Sequence, residues 1–409
     1  MTKTEIINAA FKIWGRNLYR KTSLSQLARG LRVSKPALYR HFVSKQAISA
    51  AMAEHFFDDF AVSVKADFEK ALLSQDTDDG ILIIIQSIVR YFAKNTYSLI
   101  FSLVNIYDRN IDDRTITDRI KERGADMSSI RLVLDKKYKS SFALLNLVSA
   151  TLTFYMTINF FKRKNSLEKI PSEAEIQKII TLVNETVKHG LKYTSEKLDS
   201  IDFEGLEKQI YEMKLEAETE PLFKAVAEAV AEAGPWDVSM DMVAKRMGLS
   251  KSSLYGHLKN RKDMLRRLFI GEFKRIIKFA RQGINHSGDT VEQLYLGLFS
   301  ITVYMRCRPE ILITMDWIRN RKLDIGKPEK NLEIFRLFED VKIESLLDAE
   351  EEEKQQVSHW ILFLLINVLK NSIFTENEPR ENFNFEKIQN EDIRILLKFI
   401  TLGLGGFKR

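Results

Sequence analysis

The sequence predicts an all-α fold assembled from two tandem copies of one unit, and three observations predict it: sparse turn residues, a long-range internal repeat, and helical spacing framed by hydroxyl caps. Of 409 residues only 7 are proline and 17 glycine, while Leu, Ile, Ala, Lys and Glu abound. Many short strands and turns would need more punctuation than that. The length also exceeds the usual single-domain range, so at least two cores are expected.

The repeat is visible in SKPALYRHF at 34–42 and SKSSLYGHL at 250–258, an offset of 216 that also superposes Ala9 on Ala225, Ser23 on Ser239 and Ala28 on Ala244. Further along, Arg90-Tyr91 meets Val303-Tyr304 and Gly190-Leu191 meets Gly403-Leu404 at an offset of 213. A unit of this size is far longer than solenoid periods, so the repeat reads as duplicated domain pairs.

In the first half, Thr4 to Asn17 sets Ile6, Ile7, Ala10, Phe11, Ile13 and Trp14 on one broad helical face. Thr22, Ser23 and Ser25 offer caps to a second, short helix around Leu27-Ala28. Leu31-Arg32-Val33 then turns into Ser34, an N-cap for a third helix. Two short helices joined by a tight turn make a helix-turn-helix, whose second helix fits the DNA major groove. In that reading Ser34, Lys35, Pro36 and Ala37 form the groove-facing first turn, and Tyr39, Arg40, His41 and Lys45 donate to phosphates. The second half offers Ser250, Lys251, Ser252, Ser253, Tyr255, His257 and Arg261.

Charge agrees with this placement. The chain carries +7 with a pI near 9.1. From Leu24 to Ala50 there are five basic residues and no acid, and from Met240 to Arg267 eight basic against two acidic. The basic excess therefore gathers at two candidate reading heads, which suits double-stranded DNA. A lysine-rich solvated face would not gather in this way.

Leu27-Ala28, Val33-Ser34, Leu38-Tyr39-Arg40-His41-Phe42 and Lys45 closely resemble the signature of TetR-type repressors. Val243-Ala244, Leu249-Ser250, Leu254-Tyr255-Gly256-His257-Leu258 and Arg261 repeat it. The resemblance implies two TetR-like units, with helix-turn-helix domains at 1–48 and 217–264. Helical ligand-binding and dimerisation domains would lie at 49–196 and 265–409, with a linker at 197–216 that is rich in Lys, Glu and Asp. Gln46 to Leu73 and Lys262 to Gly283 become connecting helices. Ser141 to Lys164 with Ser172 to Tyr193, and Glu353 to Thr375 with Phe385 to Leu404, become dimerisation helices that pair within one chain as a pseudo-dimer. The chain is then expected to be monomeric, and its operator asymmetric because the two heads differ. A small hydrophobic or amphipathic effector is implied, with Tyr91, Asn105, Tyr107, Tyr304, Trp317 and Arg319 as candidate contacts.

Two glycines of the family pattern are replaced in the first half by Leu18 and Arg32, whereas the second keeps Gly234 and Gly248. A turn that needs positive φ is harder without glycine, which predicts a different turn in the first motif.

Other signals point elsewhere than chemistry. No nucleophile elbow, Walker loop or Cys-x-x-Cys pair is present, so neither enzyme activity, cofactor nor metal is expected. The single Cys307 precludes an internal disulfide framework and fits a reducing cytoplasm; its flanking arginines would lower its pKa if they dominated, against the ordinary reading of a partly buried thiol at a helix end. Glu5 interrupts the apolar core that a signal peptide needs. Ser140 to Phe161 has no charge and is long enough to span a membrane, but Asn146, Ser149, Thr151, Thr153, Thr157 and Asn159 are spread along it. It is read as a helix buried all round in a bundle, with no membrane partner. The alternative function, from another class, is a ligand-binding or scaffolding protein that has kept the fold and lost specific DNA recognition.

Overall fold

The computed structural model describes residues 2–17, 23–74, 76–102, 113–163, 171–215, 220–256, 261–309, 311–312, 336–339, 341–373 and 389–407. Among the described residues every regular element is a helix, so the fold is all-α. The chain divides into two compact units: Met1–Phe142 with Thr153–Glu185, and Ala143–Leu152 with Thr186–Arg409.

The first unit opens with α1 (Lys3–Asn17), α2 (Leu24–Gly30) and α3 (Lys35–Tyr39). Ile6, Ile7, Ala10, Phe11 and Trp14 of α1 are buried, the face that the spacing marks; Ile13 stays half-buried. The long α4 (Lys45–Leu72) starts at Ser44, whose hydroxyl accepts from the Ala47 N–H at 3.0 Å. It buries Ile48, Met52, Phe56, Phe60 and Val64 at helical spacing against α5 (Thr77–Lys94). Phe56, Phe60, Tyr91 and Phe92 form one aromatic cluster there. α6 (Thr96–Ser102), α7 (Asp113–Lys121) and α8 (Ser128–Tyr138) close the unit. Buried Asp78 is compensated by Lys137 and by Tyr138, whose hydroxyl donates to it at 2.7 Å, as a buried carboxylate requires.

α9 (Phe142–Arg163) contains the uncharged stretch. Arg131–Phe160, running from α8 through most of α9, is the one helical segment among the described residues long and apolar enough to cross a membrane, and 39% of its most apolar window is buried. The expectation of all-round burial is therefore corrected: Leu145, Val148, Thr151 and Leu152 are buried while Ala143 and Asn146 are exposed. Thr157 satisfies its hydroxyl on the Thr153 carbonyl at 2.7 Å.

α10 (Glu173–His189) leads into the second unit. The expected linker at 197–216 is also corrected. It contains the end of α11 (Ser195–Asp199) and the whole of α12 (Phe203–Glu212), because α12 carries an apolar face, Leu206 and Ile210, and a buried acid. Glu207 accepts from Tyr295 at 2.5 Å, Asn390 at 2.6 Å and Arg394 at 2.8 Å. Composition alone disguised this helix, since the partners of its buried acid lie far away in sequence.

Next come α13 (Pro221–Asp237), α14 (Met240–Arg246), α15 (Lys251–Gly256), α16 (Arg261–Ile284) and α17 (Thr290–Cys307). Every residue from Leu294 to Met305 is buried, so α17 is the helix enclosed all round. α18 (Glu351–Ile373) and α19 (Asn390–Leu402) complete the unit. At the end of α19 the repeat-related glycines meet. Gly190 has φ +54° and Gly403 φ +61°. The Leu191 N–H donates to the Ile400 carbonyl at 2.8 Å, and the Tyr193 N–H to Thr401 at 3.1 Å. A Cβ on Gly403 would lie 2.5 Å from the Lys188 carbonyl carbon, so only glycine fits.

Candidate nucleic-acid interface

Each head is built by the same local chemistry. Ser23 and Ser239 cap their helices by accepting from the Gln26 N–H at 3.2 Å and the Met242 N–H at 3.3 Å. The turns then match bond for bond. The Val33 N–H donates to the Ala28 carbonyl at 2.9 Å, and the Leu249 N–H to Ala244 at 2.9 Å. Such a closure leaves one residue left-handed. That residue is Gly248 at φ +67° in the second head and Arg32 at φ +57° in the first. The expected difference between the turns is thus corrected: the six-residue bond and the surrounding burial of Leu27, Ala28 and Leu38 force the arginine into glycine's conformation.

The third helices follow from Ser34 and Ser250, whose hydroxyls accept from the Ala37 N–H at 3.3 Å and the Ser253 N–H at 2.9 Å. Leu38 and Leu254 are buried and fix the roll of each helix. In the first head Ser34, Lys35, Pro36 and Arg40 are then exposed, Ala37 and His41 half-buried, and Tyr39 45% exposed. The Lys35 ammonium sits 5.8 Å from the Tyr39 ring centroid. Lys45, half-buried at the start of α4, lies 5.8 Å from the Trp14 ring.

In the second head Ser250, Lys251, Ser252 and Ser253 are exposed and Tyr255 half-buried. The Ser250 hydroxyl lies 2.8 Å from both the Ser252 and the Ser253 hydroxyl. His257 lies outside the described residues, and Arg261 begins α16 with its side chain outside them. Lys251 bonds Asp241 at 3.0 Å, a pairing that holds its ammonium above the usual lysine range. Arg246 pairs with Glu232 and lies 4.0 Å from Glu228. The sequence reading missed these pairs, although acids ten to eighteen positions upstream on neighbouring helices were the available signal.

Of the candidate effector contacts, Asn105, Tyr107, Trp317 and Arg319 lie outside the described residues. Tyr91 and Tyr304 are both buried, on α5 and α17. The Tyr304 hydroxyl is satisfied by Glu272 and Arg308, each at 3.2 Å. The Tyr91 hydroxyl is buried without a well-formed hydrogen bond, although Asp59 and Ser98 lie near it; burial and the Asp59 charge keep the phenol neutral. Cys307 is exposed at the end of α17; desolvation by the surrounding protein pushes its pKa up against the lowering effect of Arg308 and Arg306, the former being engaged with Glu272.

A family model described as bacterial regulatory proteins of the tetR family matches residues 6–52. No curated protein matches the chain. Among solved structures, the TetR family transcriptional regulator PfmR from Thermus thermophilus is similar at 22% identity and a TM-score of 0.31, over 44% of this chain and 95% of that one. The first head, from Ile6 to Met52, is similar to the segment by which the tetR family of bacterial regulatory proteins is recognised.

Proposed function

We propose that the protein is a sequence-specific DNA-binding transcriptional regulator in which one chain supplies both heads of a pseudo-dimer. The observation that carries the reading is the pair of capped helix-turn-helix motifs, alike to the individual hydrogen bond in their turns. Each presents a third helix with an exposed first turn and a buried leucine beneath it. In this reading Lys35, Pro36 and Ala37 address base edges, as do Lys251, Ser252 and Ser253. Tyr39, Arg40, His41 and Lys45, with Tyr255, His257 and Arg261, hold phosphates.

Intramolecular pairing is supported by the meeting of Gly190 with Gly403, the same position of the repeat taken twice. Tethering gives such pairing a high effective concentration. A cytoplasmic location follows from the function itself. Control by a small hydrophobic or amphipathic effector is part of the reading, and the first half is the better host. There Tyr91 lies among aromatic rings with its hydroxyl only loosely placed near Asp59 and Ser98, whereas Tyr304 is held firmly by Glu272 and Arg308. An effector acts only through different affinities for the DNA-competent and incompetent arrangements.

Retention of chromosomal fragments at physiological salt tests the reading. Specific fragments should persist and be released by competitor of the same sequence. Binding that vanishes as salt rises, without preference, would leave the scaffolding or ligand-binding alternative.

A further inference from the structure

The two heads share a backbone but not a charge environment. Residues 3–45 carry ten basic side chains and one acid; the repeat-equivalent residues 219–261 carry six basic and five acidic. The difference is concentrated beside the reading helix. Where the second half has Glu228, Glu232 and Asp241, the first has Lys12, Arg16 and Ser25. Those three acids are the ones that approach the second head's cations: Asp241 bonds Lys251, Glu232 pairs with Arg246, and Glu228 lies 4.0 Å from it. In the first head Arg29, Arg32, Lys35 and Arg40 face no acid within ion-pair distance among the described residues.

An exposed ion pair is weak, so Lys251 is not locked away by pairing alone. The larger effect is that Asp241 stays at the DNA-facing end of α14 after Lys251 swings to a base. It then repels phosphates that lie within one Debye length, about 8 Å at physiological salt. A head with a smaller basic excess also releases fewer counterions on docking.

We propose that Asp241, with Glu228 and Glu232, attenuates the second head. The first head then supplies most of the salt-dependent affinity and base discrimination, and the operator consists of one strongly specified half-site beside a degenerate one. This rests on the regulator reading above. The chemistry requires no ligand beyond duplex DNA, and the repeat supplies the substitution that tests it, because Ser25 stands at the position of Asp241.

The experiment is a salt series of binding to a duplex that the full-length protein has selected from a random pool, run beside a scrambled duplex. Lys35→Ala should weaken binding to the selected duplex about tenfold or more, and Lys251→Ala less than about twofold. Asp241→Ser should tighten it about fivefold and steepen the salt dependence by about one unit, and Ser25→Asp should do the reverse. Asp241 is exposed, so thermal melting should show Asp241→Ser folded. Equal losses for the two lysines, or an Asp241→Ser protein with unchanged affinity and salt slope, would overturn the proposal while leaving the regulator reading intact. Failure of the unaltered protein to prefer any duplex would overturn both.

Discussion

At position 32 an arginine holds the left-handed backbone that position 248 gives to glycine. A side chain in that region costs about 1 kcal/mol, so Arg32→Gly should raise the stability of the first unit by about that amount. Gly248→Ala should lower the second by a similar amount, since a Cβ there meets nothing within 4 Å and only backbone strain counts. Urea unfolding monitored for each variant checks both signs. The paired tyrosines give a second contrast at this scale. Tyr304→Phe removes a hydroxyl held by Glu272 and Arg308 and should cost about 1 to 2 kcal/mol. Tyr91→Phe deletes a buried hydroxyl without a well-formed bond and should be neutral, or stabilising by up to about 1 kcal/mol. A large loss of melting temperature in Tyr91→Phe would show that its hydroxyl has a structural partner.

Among the helices, the ends of α10 and α19 depend on glycine for a different reason from the turn of the second head. Gly403 combines positive φ with a Cβ position 2.5 Å from the Lys188 backbone, and Gly190 is similarly placed against Ile400. Gly403→Ala should therefore cost about 3 kcal/mol or more, well beyond Gly248→Ala, as read by the same urea unfolding. Helices of this kind were legible in sequence where periodicity and caps agreed. Ser34 before Lys35-Pro36 and the apolar face of α1 announced themselves, and α4 and α16 begin within one residue of expectation. The linker was misread because α12 buries an acid, Glu207, whose partners Tyr295, Asn390 and Arg394 lie 88 to 187 residues away. A shorter separation, 32 residues, hid the role of Glu272 beneath Tyr304. At the candidate interface the exposed first turn of each third helix could be located from the motif. What their charges meet depends on α13 and α14, whose acids carry no motif of their own.

For the whole molecule, two heads in one chain should make the functional particle a single polypeptide. Sedimentation at low micromolar concentration should give mostly 47.5 kDa, and a stable homodimer with no detectable monomer would contradict intramolecular pairing. Above all, this particle is proposed to read DNA with two unlike heads. Lys35, Pro36 and Ala37 offer a guanine contact and apolar surface for a thymine methyl, whereas Lys251, Ser252 and Ser253 offer hydrogen bonds. Tethered heads of this motif suit half-sites about one helical turn apart, roughly 34 to 36 Å. Selection from a random DNA pool by the purified full-length protein at physiological salt tests this most directly. One enriched asymmetric site is expected, with a well-defined half and a looser half spaced by that turn. A perfect palindrome would contradict it by showing two chains using the same head, and the absence of any enriched sequence would contradict the DNA-reading function itself.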